Sequence, residues 1–82
     1  MTTKSTLCHL AMLAGLGVPQ FRVVTVARPG RPQMFRCCVS VRRPHARGTE
    51  LLELCATYPT HEGAIEAAAR MALPMLRRWT GR

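Results

Sequence analysis

Four cysteines and three histidines are the residues of this 82-residue chain whose types could do chemistry, so their spacing decides what that chemistry can be. Cys8, Cys37, Cys38 and Cys55 form no C-x-x-C pair, and with His45 and His61 they are scattered along the chain, so a four-ligand zinc site has no local half to grow from. A nucleophile pair can be written from Cys8 or Cys55 with His61, but no motif or oxyanion site accompanies it. Gly15 and Gly17 follow a helical stretch, whereas a loop that cradles phosphate precedes one. The chain therefore reads as non-enzymatic, with no catalytic residue, metal, cofactor or small-molecule substrate. Cys37 and Cys38 are adjacent and point to opposite faces of a strand, and the chain opens without a signal peptide. Reduced, mostly buried thiols are expected, which implies an intracellular protein, cytoplasmic or nuclear.

The other chemistry is charge. The net charge is +8 with a pI near 11.1, and of the 12 basic residues all but Lys4 are arginines. That balance points to an anionic partner such as nucleic acid, against the plainer reading of a solvated basic surface. A membrane is not the partner, because the longest apolar stretch, 7–18, is broken by His9, Gly15 and Gly17 before the ~18 residues a span needs. A chain of this length makes one domain, 1–82, and buries only about 60–65% of its unfolded surface. Its core is expected at 5–78, with 1–4 and 80–82 flexible.

Five elements must position these groups. Ser5 or Thr6 is expected to cap a first helix running to about Ala14, with Leu7, Leu10, Ala11 and Ala14 as its apolar stripe and Gly15 and Gly17 ending it. Residues 21–28 alternate as a strand, with Phe21, Val23, Thr25 and Ala27 on one face and Arg22, Val24, Val26 and Arg28 on the other. The run Arg28-Pro29-Gly30-Arg31-Pro32 is a basic turn leading into a second strand at 34–43, whose core face is Phe35, Cys37, Val39 and Val41. A second basic loop is expected at 42–48, carrying Arg42, Arg43 and Arg47. Residues 50–58 read as a third strand in preference to a short helix, because they lie between Gly48 and Pro59. Leu52, Leu54 and Ala56 then face the helices, and Leu51, Glu53 and Cys55 the open side. Thr60 caps a second helix, with Ile65, Ala68, Ala69, Ala72 and Leu76 at helical spacing. Pro74 should stop or kink it near Leu73. The fold class is α+β, in the order α-β-β-β-α, with both helices on one face of a three-stranded antiparallel sheet.

This order, together with Leu7-Cys8-His9-Leu10-Ala11, Gly15, Pro19, Phe21, Phe35 and the alanine-rich run 64–73, resembles the double-stranded RNA-binding domain family over nearly the whole chain. The resemblance implies recognition of duplex RNA by shape, through 2′-hydroxyls and phosphates. It implies three contact regions, in which His9 stands on the first helix, Arg31 flanked by Arg28 in the first inter-strand loop, and His61, Glu62 and Ile65 where the family carries lysines. The last region departs from the pattern, since Glu62 repels phosphate. Weak duplex binding through His9, His61 and the arginines 28, 31, 42, 43 and 47 is one expectation. The other is a protein-interaction module, because Val24, Val26, Met34, Cys38 and Leu51 would make the open sheet face apolar and suited to another protein or a second copy of the domain.

Overall fold

A computed structural model describes residues 2–45 and 47–79 and places them in the order α1 (Thr3–Leu13), β1 (Gln20–Val26), β2 (Met34–His45), β3 (Gly48–Tyr58) and α2 (His61–Trp79). The strands form one antiparallel sheet in the order β1-β2-β3, as the alternation predicts. Phe35, Cys37, Val39 and Val41 of β2 face the helices, opposite Phe21 and Val23 of β1 and Leu52, Leu54 and Ala56 of β3. The core closes between these residues, Leu7 and Ala11 of α1, and Ala64, Ala68, Ala69, Ala72 and Leu76 of α2. Only Leu7, Leu76, Val39, Val41 and Cys37 are large among its fully buried side chains.

Helix α1 begins earlier than expected. Thr2, not Ser5 or Thr6, is the N-cap: its hydroxyl accepts the Ser5 N–H at 3.1 Å, while the Thr6 hydroxyl donates back to the Thr2 carbonyl. The hydroxyl of Thr3 donates to the Glu66 carboxylate, tying this first turn to α2, so residues 2–4 are ordered by a tertiary contact that periodicity does not show. Met1 and residues 80–82, also expected to be flexible, lie outside the described residues. The C-terminus follows expectation at Gly15. Its φ of 72° lets Gly15 N–H reach Met12 O at 3.1 Å and Leu16 N–H reach Ala11 O at 2.9 Å, the paired bonds of a Schellman motif.

Helix α2 does not stop at Leu73. It runs unbroken through Pro74 to Trp79, against the expectation. The missing proline N–H costs up to about 3 kcal/mol in a helix interior. Pro74 is on the exposed side, however, where the Arg70 carbonyl can be hydrated, and continuing the helix buries Leu76 completely, worth about 1.5–3 kcal/mol. Thr60 caps the other end as predicted, accepting the Gly63 N–H at 3.0 Å. Gly63 is there for space. A methyl at that position would run into the Tyr58 ring and the Thr60 hydroxyl.

The loop expected at 42–48 is mostly strand. β2 continues to His45, pairing Arg43 with Glu50, Pro44 with Thr49 and His45 with Gly48. Proline is tolerated because β1 ends its pairing at Ser40, so past that point β2 has no neighbour on that side. The Arg42 carbonyl, which accepts from Gly17 N–H at 3.2 Å, points to that side, and by the two-residue alternation so does the nitrogen of Pro44.

Two measurements test these contacts. Pro74→Ala restores the Arg70 hydrogen bond and should stabilise the protein by about 1–2 kcal/mol in urea titrations, part of the ~3 kcal/mol gain being lost to a freer unfolded chain. The Thr3 hydroxyl, and secondarily Arg70 at 3.3 Å, hold the Glu66 carboxyl below the ordinary carboxylate value. A depressed folded-state value contributes stability above the ordinary value of about 4.3, and that contribution is lost as pH falls below it. Glu66→Gln should therefore lose less stability than the unaltered chain between about pH 4.5 and pH 3.

Candidate nucleic-acid interface

The turn between β1 and β2 is built by its own residues. Arg31 N–H bonds Arg28 O at 3.1 Å, with Pro29 and Gly30 between them and Gly30 at φ 72°. Proline at the second position and a left-handed glycine at the third are what a type II turn requires. Both arginines are exposed on it. With Val26, Pro32, Met34, Arg36 and Thr57 they line a shallow depression of ≈ 400 Å³ at this end of the open sheet face. Three guanidinium groups around one concavity make an anion site, since each presents a fork of N–H donors and no acceptor. Arg36 was not among the sequence-derived candidates. The signal was nevertheless present, because strand alternation puts Arg36 on the same face as Met34 and Cys38.

His61 opens α2 at the same end of the sheet. Phe35 pairs with Tyr58, and the Phe35 and His61 rings meet edge to face at 5.9 Å and 74°. His61 and Glu62 are exposed, and Ile65 is packed against the core, as its helical spacing with Ala68, Ala69, Ala72 and Leu76 predicts. His9 is exposed on α1.

The remaining arginines are not brought together with these. Arg42 and Arg43 are consecutive strand residues and point to opposite faces. Arg42 is exposed on the open face. Arg43 is engaged on the helix side, where it forms an ion pair with Glu50 and stacks over the Trp79 ring at 4.5 Å. Arg47 is exposed in the hairpin turn. From Met34 to His45 β2 covers eleven residue steps, about 36 Å at 3.3 Å each, so Arg47 and the Arg28–Arg31 turn sit at opposite ends of a molecule 48 Å long. A single basic surface from 28 to 47 does not exist.

The five apolar candidates do share the open face, Val24 and Val26 from β1, Met34 and Cys38 from β2 and Leu51 from β3. Val24 is 48% and Leu51 53% exposed, and Arg22, Arg36, Arg42 and Glu53 stand among them. Cys38 is not a free thiol. It is bonded to Cys55, its register partner, across 4.0 Å between Cα atoms. Cys38 shares its backbone direction with Ser40 and Arg42, toward β1, which makes Cys38 and Cys55 a non-hydrogen-bonded pair of the β2–β3 ladder, the closest kind of site. The expectation of four reduced thiols is corrected by this bond, which joins two of the four. Cys8 is free and half-buried; Cys37 is free and buried, and desolvation raises its pKa while Lys4 opposes the rise.

Among the described residues no three histidine, cysteine or acidic side chains group to hold a metal ion, and no helix is long and apolar enough to cross a membrane. No family model matches the chain, and no curated protein matches it.

Burial separates the two free thiols, with a direct readout. Iodoacetamide on the folded protein should carbamidomethylate Cys8 and leave Cys37 unmodified until denaturant is added, as read by peptide mass mapping.

Proposed function

We propose that the chain is a non-enzymatic module of the double-stranded RNA-binding type, which holds duplex RNA weakly and by shape. The observation that carries this reading is the grouping of Arg28, Arg31 and Arg36 around one exposed depression, at the end of the sheet where α2 begins. A net charge of +8 and the α-β-β-β-α order support it. The turn arginines would contact phosphates and 2′-hydroxyls of the shallow minor groove, with His9 and His61 as ring N–H donors on the flanking helices. Binding would be weak because α2 opens with His61 and Glu62, and an anion at that position opposes the counterion release that drives phosphate contacts. Arg43 would take no part, being paired and stacked elsewhere. An intracellular setting belongs to this reading as well.

Fluorescence anisotropy with a labelled RNA duplex of about 16 base pairs tests it. Affinity should fall steeply with salt, and Arg28→Ala with Arg31→Ala should weaken binding about ten-fold or more and lower the salt slope by about 2. His61→Lys with Glu62→Lys should tighten it on the same scaffold. No duplex binding at 50 mM salt by either the unaltered chain or the lysine variant would exclude the proposal.

A second reading is favoured by one observation, the exposure of Val24 and Leu51 on a sheet face that no described element covers. On this reading the module binds another protein or a second copy. Face-to-face stacking of two copies would set Arg22, Arg36 and Arg42 against their equivalents, so an acidic partner protein fits the face better than a copy does. A monomer in sedimentation, unchanged by Val26→Glu, together with salt-sensitive RNA binding, decides for the first reading.

A further inference from the structure

The Cys38–Cys55 bond is not what holds β3 in place. β2 and β3 pair residue by residue from Phe35↔Tyr58 to His45↔Gly48, and the core lies on the opposite face of the sheet. The bond sits half-buried on the open face, which no described element covers. Its surroundings are charged. Arg22 is the register partner of Cys38, Arg36 stands two residues before Cys38 on the same face, and Glu53 two residues before Cys55. The two free thiols are out of reach of it by position, since Cys37 is buried on the core face and Cys8 lies on α1 across the sheet.

We infer that Cys38–Cys55 is a thiol-exchange site for a small anionic thiol. An attacking thiolate must approach in line with the S–S bond, whose two sulfurs belong to adjacent strands. On the β1 side Cys38 is flanked by Arg22, its register partner. On the other side Cys55 lies on β3, an edge strand of the sheet. The incoming thiolate therefore attacks Cys55 Sγ and forms a mixed disulfide there. The Cys38–Cys55 bond breaks, and Cys38 leaves as a thiolate beside the Arg22 and Arg36 cations and takes a proton from solvent. A second thiol molecule then attacks the small-molecule sulfur of the mixed disulfide, releasing the oxidised small thiol and the Cys55 thiolate. Two thiols are oxidised, one protein disulfide is reduced, and the reverse sequence restores it. The β2–β3 ladder persists throughout, so the site changes covalent state within a constant fold. This inference does not depend on RNA binding.

The test compares mercaptoethanesulfonate, an anionic thiol, with cysteamine, a cationic one, at equal thiolate concentration. Opening is followed by mass after acid quench and alkylation, with Cys8 blocked beforehand. The anionic thiol should open the bond several-fold faster at low salt, the two rates should converge at high salt, and the trapped adduct should map to Cys55. Arg22→Gln should reduce the preference while Arg78→Gln, an equal change in net charge on α2, leaves it intact. The salt dependence of the unaltered chain serves if Arg22→Gln fails to fold. Equal rates for the two thiols at low salt, an adduct on Cys38, or opening only under denaturing conditions would each overturn the inference.

Discussion

The close approach of α2 to the sheet is the constraint on which the rest of the molecule depends. Alanine at 64, 68, 69 and 72 removes every atom past Cβ from the helix face, so a 19-residue helix can lie directly on Cys37, Val39 and Val41. Small residues on a facing surface yield close contact but little buried apolar volume, and a domain of this size has little to spare. Leu76 and Leu7 supply most of what the alanines omit, which explains why the helix continues past Pro74. Contacts at the rim complete the fit. Thr3 with Glu66 and Arg70 fixes one end of α1 against α2, and Trp79 lies under Arg43 at the other.

Charge is arranged by the same geometry. The arginines at the β1–β2 turn and those beyond Ser40 form two groups: along β2, Arg42 lies about 20 Å from Arg36 and about 26 Å from the start of the strand at Met34, two to three times the ~8 Å screening length at physiological ionic strength. The two groups therefore act as independent patches, and the formal charge of +8 overstates the field at either one. Local partners differ too. Glu50 neutralises Arg43 within the hairpin, whereas the three arginines around the turn depression have no acidic residue lining it with them.

Much of the fold is legible because two signals agree over long stretches: period-two alternation assigns the faces of all three strands, and the alanine stripe with the Thr60 cap marks α2. Where the reading departs from the structure, a tertiary contact outweighs a local rule. Proline normally ends a helix, but at 74 it faces solvent while Leu76 is buried; proline normally ends a strand, but at 44 it lies where β2 has lost its neighbour. Pairing register is the least legible feature, and the disulfide follows from it alone. A hairpin that pairs 45 with 48 must pair 38 with 55, whereas a loop expected at 42–48 leaves the register open. The site was half visible. Arg28 and Arg31 announce themselves through the Pro-Gly turn between them, while Arg36 joins them only once the strand face is known.

The unequal lengths of the strands have a dynamic consequence. β1 pairs only as far as Ser40, so the hairpin beyond the buried Val41 is a two-stranded ribbon extending past the three-stranded body. Two strands without a third are marginal by themselves. What anchors this ribbon is the Trp79 ring at the end of α2, with the Gly17 to Arg42 backbone bond on its free side. The last turn of a helix frays before its middle, so loosening at Trp79 releases the ribbon while the alanine-packed centre stays closed. On this geometry the hairpin tip should open at lower free energy than the block around Cys37 and Val39.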